Sequence, residues 1–455
     1  MIEVVDDILR MMGDFIWGVP MALLLMGTHL WMTVRTGGIQ RKMLFAVKLS
    51  FASDKSASGE ISNFGALMVA LAATMGTGNI IGVGTAVAMG GPGAIFWCFL
   101  TGLFGIATKY AESLLAVKYR VKNEKGKMIG GAMVVLDKVL HKRGLAIFFC
   151  VATICAAFGI GNLNQANSVA ILVENNTGVS PYITGFIMAF IVGAVMVGGI
   201  KWLSKVCEWL VPFMAGFYIL GCIYLLCANG TYIAPAIKLI ITSAFAPEAV
   251  EGGLIGGGFM LAMRYGLARG LFSNEAGLGS SPIVSASAKT DNAVRQALIS
   301  STAVFWDTLV VCTLTGLVIV TSVIAYPDID FEHGAVLTTM AFGKIHAWGS
   351  HFLTVAIITF VFSTILGWSF YAERCMEYLG GTKLIKWFQL AWIAAVMIGS
   401  IMGLNTVWLL SDVANALMAI PNLVCVLALS GVVAAETKKY CSKTHINDID
   451  PDMQK

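Results

Sequence analysis

The sequence predicts an all-α integral membrane protein of about eleven transmembrane helices. They are arranged as a five-plus-five inverted repeat with a discontinuous first helix in each half, behind one peripheral N-terminal helix. Three observations carry this: the composition, the spacing of the apolar runs, and the placement of the bases. The 455-residue chain is 57% apolar and 12% charged, with a mean hydropathy of +0.80. Soluble domains average about 45–50% apolar and about 25% charged residues, so the departure favours lipid as the solvent. The net charge of +4 is small, and no basic run is interleaved with aromatics, which argues against a nucleic-acid partner. The ten cysteines form no C-x-x-C pair and sit mostly in apolar stretches, where they read as small buried hydrophobes. Three acids precede the first base, Arg10, so the first apolar segment is expected to stay in the mature protein rather than act as a signal peptide.

A helix crosses a bilayer core of about 30 Å with about 20 apolar residues. Such runs fall at 14–35, 62–90, 92–118, 144–173, 180–200, 205–228, 250–288, 296–326, 350–374, 384–403 and 405–435. The segment 230–250 is short and interrupted by Pro235, and reads as an interfacial helix, while 327–349 reads as a polar connection. With the N-terminus outside and the C-terminus cytoplasmic, 24 of the 30 Lys and Arg residues fall in inside loops, with Arg10, Lys238 and Lys344 outside. That asymmetry is the positive-inside pattern of a multi-pass protein of the cell membrane.

Setting the first helix aside leaves two sets of five. Five is odd, so the second set must run in the opposite sense, and an inverted repeat becomes possible. The expected division is 1–60 as peripheral helix and loop, 61–228 and 229–436 as the two repeats, and 437–455 as a cytoplasmic tail. Corresponding helices should then share a defect, and the first helix of each set does. One contains MGTGNIIGVG, with Gly76, Gly78, Gly82 and Gly84 around Thr77 and Asn79. The other contains GLARGLFSNEAGLGSSPI, with Gly270, Gly277 and Gly279 among Ser273, Asn274 and Glu275. Glycines weaken helices, and freed backbone groups at membrane depth must face protein or a wet cavity. Close helix packing through Gly78 and Gly82 is the alternative, but it leaves the flanking polar residues without a purpose.

A broken helix offers free N–H groups at one half and free carbonyls at the other. An amino-acid zwitterion has one group for each. The N–H groups near Thr77, Gly78 and Asn79 suit a carboxylate. The carbonyls near Phe272 and Ser273, beside Asn274, suit an ammonium, with Gly277 counted to the same site. In the fourth run Asn162, Asn164, Gln165, Asn167 and Ser168 crowd an apolar segment. Gln165 is the expected substrate contact, against interhelical hydrogen bonding as an equal alternative. In the ninth run Ser363 and Thr364 supply two neutral hydroxyls, with Trp368 one turn on. Such hydroxyls together with unwound carbonyls can hold sodium; bonding to their own helix is the alternative. Phe272 and Trp368 are expected to wall a small apolar pocket, with core packing an equally good reading.

The segment GGPGAIFW at 90–97 that follows MGTGNIIGVG, and the segment GLARGLFSNEAGLGSSPI, resemble the alanine or glycine:cation symporter family over about residues 60 to 436. The family pattern continues after Phe-Trp with Met-Trp, where this chain has Cys98 and Phe99. The resemblance implies the leucine-transporter fold and sodium-coupled uptake of a small neutral amino acid, alanine or glycine, by alternating access, with no organic cofactor. It implies a carboxylate end at Gly76 to Asn79, an amino end at Phe272 to Asn274, and a sodium site of Ser363 and Thr364 with carbonyls of Ala72 and Met75. Arg264, Arg269 and Asp412 form a possible outer gate, against ordinary snorkelling. The intramembrane acids Asp307, Glu275 and Glu112 keep proton coupling open as the alternative. An ion channel is a weaker rival because filters need rotational symmetry. The chain has no nucleophile elbow, metal-ligand pair or histidine cluster, and is not expected to be an enzyme.

Overall fold

The computed structural model describes residues 2–52, 59–246, 258–329, 336–346, 348–403, 405–441 and 445–451. Its described residues are overwhelmingly helical, with one two-stranded hairpin, Val121–Lys122 against Met128–Ile129. The N-terminal region holds α1 (Ile2–Ile16), α2 (Val19–Arg35) and α3 (Met43–Ser50). The expected single span at 14–35 is therefore two helices. Gly18 and Pro20 separate them, because proline lacks an N–H and fits the first turn of a new helix. Helix α1 packs on the later helix Asn405–Ala428, and the Trp17 indole donates to the Asp412 carbonyl at 3.0 Å.

The region expected to hold the first five-helix set begins with α4 (Asn63–Thr74) and α5 (Gly78–Gly90), bent by 54° at residues 75–77. It continues through α6 (Gly93–Lys118), α7 (Arg143–Thr177), α8 (Pro181–Val197) and α9 (Gly199–Ala228). The expected interfacial helix is α10 (Ile233–Ser243). The second set begins with α11 (Phe259–Asn274), an irregular segment, and the short α12 (Pro282–Ser285); residues 250–257 of that expected run lie outside the described residues. Then come α13 (Ala293–Ala325), α14 (Leu337–Ile345), α15 (Gly349–Gly380), α16 (Ile385–Ile401), α17 (Asn405–Ala428) and α18 (Ser430–Tyr440).

Among the described residues, seven helices are long and apolar enough to cross a membrane, or eight with the bent pair counted as one span. The other expected spans fall short for local reasons. Helices α2 and α8 have 17 residues each, and α11 stops at its break. The region 327–349, expected to be only a polar connection, contains α14, whose Leu337, Ala341 and Phe342 are fully buried. Its Thr338 hydroxyl donates to the Ile80 carbonyl at 2.9 Å, which pins α14 to the turn after the first break. Of the ten cysteines eight are buried, while Cys155 and Cys227 are exposed.

The core lies where α4, α6, α11, α13 and α15 cross. Small residues set that approach. At Gly367 of α15 an added Cβ would stand 2.5 Å from the Ala73 nitrogen, so only a bare Cα lets α15 lie against the end of α4. The same contact brings Ser363 and Thr364, one turn earlier, beside the unwound carbonyls.

Candidate functional site

Helix α4 ends at Thr74 because Met75 turns extended, with φ −78° and ψ 97°. Its N–H still reaches Leu71 at 2.9 Å, but the carbonyls near the end lose their helical partners. Two hydroxyls of α15 meet them. Ser363 Oγ lies 3.2 Å from the Ala72 carbonyl and 3.4 Å from that of Met75, and Thr364 Oγ1 lies 3.0 Å from Met75. Both hydroxyls also reach the Phe360 carbonyl of their own helix, at 2.8 and 2.9 Å. The two hydroxyls therefore bond within α15 and also converge on the carbonyls of the first break. The result is a buried set of neutral oxygens, which suits a hard monovalent cation as cargo. Among the described residues no cluster of three His, Cys, Asp or Glu could hold a metal ion instead.

The second break is built by handedness. Glu275 ends α11 with φ 53°, and Gly277 and Gly279 follow with φ 93° and 80°. Such values belong to the left-handed region and favour glycine. At Gly277 an added Cβ would also meet Leu25 of α2 at 2.4 Å. Pro282 restarts a helix.

A small cavity lies between the breaks. Of the residues read from the sequence, Gly76, Gly78, Gln165, Phe272, Glu275, Thr364 and Trp368 line it. The Gln165 amide donates to Thr77 Oγ1 at 3.2 Å and to the Ile160 carbonyl at 3.0 Å, while its Oε1 is buried with no partner among the described residues. That oxygen is a buried acceptor with its hydrogen-bonding capacity unused. A π-helical turn at Gly159–Leu163 aims the side chain, because the wide turn leaves the Ile160 carbonyl available to it.

Other expected residues stand behind the wall. Asn79 Oδ1 accepts from the Gly76 N–H at 2.9 Å, and its Nδ2 donates to Ser273 Oγ at 2.9 Å and Asp307 Oδ1 at 2.7 Å. Ser273 and Thr308 hydroxyls complete the Asp307 carboxylate at 2.8 and 2.7 Å. This network ties the first break to the second and to α13, so Asn79 and Ser273 spend their side chains on the scaffold. Asn274 Oδ1 caps the Ala276 N–H at 2.9 Å, and Gly277 gives its carbonyl to Asn422 at 2.9 Å. The neighbouring Asn162 and Asn167 bond carbonyls of α16 and the residue after it, Trp392, Gly399 and Met402, which is interhelical bonding.

A second, larger cavity of about 350 Å³ forms a vestibule lined by Arg264, Arg269 and Asp412, the three expected gate residues, and by Leu9, Arg10 and Gly13 of α1. Phe272 belongs to both cavities and divides them. The Arg269 guanidinium lies 5.3 Å from the centre of its ring, a cation–π distance that holds the ring across the passage. The opposite end is shut. Arg374 pairs with Glu60 at 2.8 Å and Glu377 at 2.7 Å. The Glu60 and Lys289 N–H groups bond the Ser287 and Ile61 carbonyls across the two chain segments that follow and precede the breaks, at 2.9 and 2.8 Å. Arg120 donates to the carbonyls of Ala286, Ala288 and Thr290 at 2.7 to 3.0 Å. Burial lowers its guanidinium to about 10, which leaves it protonated at neutral pH.

Sequence reasoning missed Asn415 and the Glu60–Arg374 pair. Asn415 of α17 lines the small cavity and has a buried Oδ1 without a partner among the described residues; its only sequence signal is an amide inside an apolar run. Glu275, read from the sequence as an intramembrane acid at the second break, also lines the cavity. The Glu60–Arg374 pair joins positions 314 apart, which no local pattern shows.

Two unwound helix pairs around a small buried cavity, a vestibule on one side and a closed end on the other, define a secondary membrane transporter. The profile of the sodium:alanine symporter family matches residues 2–455, and the chain belongs to that family. It is similar to the sodium/alanine symporter AgcS of Methanococcus maripaludis, with 48% identity over 95% of this chain and 97% of that one. An uncharacterised transporter of Haemophilus influenzae is 44% identical over 98% of this chain and 99% of its own length. The probable sodium/glutamine symporter GlnT of Bacillus subtilis is 34% identical over 96% and 91%. Among solved structures, MhsT in complex with L-phenylalanine superposes with a TM-score of 0.59 at 14% identity, over 87% of this chain and 96% of that one, a likeness of fold. The protein is therefore a multi-pass membrane symporter that moves an amino acid with sodium, and not an enzyme.

Proposed function

We propose that the protein carries alanine, and other small neutral amino acids such as glycine, into the cell with sodium by alternating access between the two helix sets, 61–228 and 229–436. The observation that carries this reading is the meeting of Ser363 and Thr364 with the Ala72 and Met75 carbonyls at the first break, beside the cavity lined by Gln165, Phe272 and Trp368. Sodium replaces the hydroxyl-to-carbonyl bonds there and orders the end of α4. The amino-acid carboxylate docks at the Gly76–Gly78 backbone and its ammonium at the carbonyl end of α11 near Phe272 and Ser273, with Asn274 behind. Gln165 Oε1 adds an acceptor, and Phe272 and Trp368 enclose the methyl group.

The vestibule faces outside, with Arg264, Arg269 and Asp412 at the outer gate; the Glu60–Arg374 end and the C-terminus face the cytoplasm, in keeping with the distribution of bases. The name of the Methanococcus relative supports alanine as the substrate. The test is uptake of labelled alanine by proteoliposomes under an inward sodium gradient. Accumulation above the external concentration that collapses when sodium is replaced by potassium is the expected result. Purely downhill flux would refute coupling.

A further inference from the structure

The sodium and substrate site described above uses no charged side chain, yet a charged group stands directly behind it. Lys109 and Glu112 are one turn apart on α6, and Glu275 is the residue that ends α11; their exposures are 0%, 3% and 2%. Lys109 Nζ and Glu112 Oε2 have no hydrogen-bond partner among the described residues. The other Glu112 oxygen accepts from Asn422 of α17, and Glu275 Oε2 accepts from Ser280 Oγ at 2.6 Å. Of the three, only Glu275 reaches the wall of the central cavity.

The charges do not balance. Lys109 interacts with Glu112, then with Glu275 and then with Asp307, so one ammonium serves three carboxylates. The other groups facing Glu275 supply no positive charge. Asp307 of α13 is an acid already held by three donors, and Tyr371 of α15 is a neutral phenol. His29 of α2 spends Nδ1 on Thr108 at 2.8 Å and lies beside the positive Lys109. Helix α17 offers only an amide. A net negative charge at this depth is expensive, and one more positive charge lowers it.

We propose that Lys109, Glu112 and Glu275 bind one proton when the cavity holds no amino acid, and that the ammonium of the arriving amino acid displaces it. The proposal rests on the docking of that ammonium at the end of α11, directly before Glu275. On binding, the Glu275 O–H bond breaks, its electron pair stays on the carboxylate, and the proton passes to water in the vestibule. The substrate ammonium then supplies the missing charge. On release at the other face the carboxylate recovers a proton from water, so over a cycle one proton travels opposite to the amino acid.

Calorimetry on the purified full chain tests this. Alanine is titrated at saturating sodium and one pH near neutrality, in phosphate and in Tris, which differ widely in ionisation heat. The expected result is a binding enthalpy that differs between the buffers by the heat of up to one released proton per alanine, and a difference that vanishes in Glu275→Gln. A buffer-independent enthalpy in the unaltered protein overturns the proposal while leaving alanine binding intact. Absence of saturable binding in both buffers overturns the docking reading and the proposal with it. The unaltered protein decides even where E275Q does not fold, and a second measurement uses it alone: a displaced proton weakens apparent alanine affinity by up to tenfold per unit of acidification, and a flat profile from pH 5 to 8 refutes displacement.

Discussion

Replacing Thr364 by alanine tests the cation site with the least disturbance elsewhere. The hydroxyl lies 3.0 Å from the Met75 carbonyl and 2.9 Å from that of Phe360, on a side chain that is 2% exposed. Its loss leaves Met75 with Ser363 alone, at 3.4 Å. A buried polar group deprived of its partner costs about 1–3 kcal/mol, and each 1.4 kcal/mol is a factor of ten in affinity. The same deficit appears in the sodium-bound state as one missing oxygen ligand. The sodium concentration for half-maximal alanine uptake should therefore rise roughly 5- to 150-fold, with the maximal rate largely recovered at saturating sodium. Thr364→Ser keeps the oxygen and should recover most of the affinity. The assay is initial uptake in proteoliposomes over a sodium titration at constant ionic strength. If folded T364A follows the same sodium curve as the unaltered protein, the oxygen set at the first break is not the coupling site.

Three further outcomes follow from the geometry. Gln165→Leu removes the free Oε1 and the bond to Thr77; apparent alanine affinity should fall about fivefold, for about 1 kcal/mol, while the sodium dependence stays put. Phe272→Ala opens the partition between vestibule and cavity, so larger neutral amino acids such as leucine should compete with alanine uptake at lower concentrations; an unchanged inhibition profile would deny Phe272 that role. Gly266→Ala places a Cβ 2.3 Å from the Ala94 carbonyl oxygen and 2.7 Å from Trp97 Cβ. Backbone cannot rotate away, so forcing α6 and α11 apart should cost about 1–3 kcal/mol or more and lower the thermal unfolding midpoint in detergent.

Much of this fold is legible in the sequence because lipid imposes long apolar runs, and because backbone freed at membrane depth demands glycine and small polar residues. Both unwound segments announce themselves this way, and the sites of both lie where the glycines cluster. What escapes is anything fixed by short range. The 14–35 run conceals a corner at Gly18 and Pro20, since the last turn of the amphipathic α1 and the apolar α2 meet end to end and look like one. Helix α14 hides inside a polar connection because its nine residues are too few for a span and draw their stability from packing on α13 and α15, with a smaller contact to α5. The wide turn at Gly159–Leu163 leaves no periodic trace, yet it decides which way Gln165 points.

The site divides along the same line. Ser363 and Thr364 are marked by their own segment, the Ala72 and Met75 carbonyls only by the family resemblance, and the structure brings the four together. Asn79 could not be placed by inspection of its own segment, because its partner Asp307 is 228 positions away. Read alone, an amide in a broken helix looks like a ligand. Seen beside Asp307, Ser273 and Thr308, it is the donor that lets a carboxylate sit at membrane depth and lock the two breaks to one another. This separation of roles has a physical cause. A site that must bind and release a cation and a zwitterion in every cycle is better made of neutral oxygens, whose exposure to either solution costs little. Charges instead stand one layer back, where fixed donors hold Asp307 and only Glu275 of the Lys109 group touches the cavity.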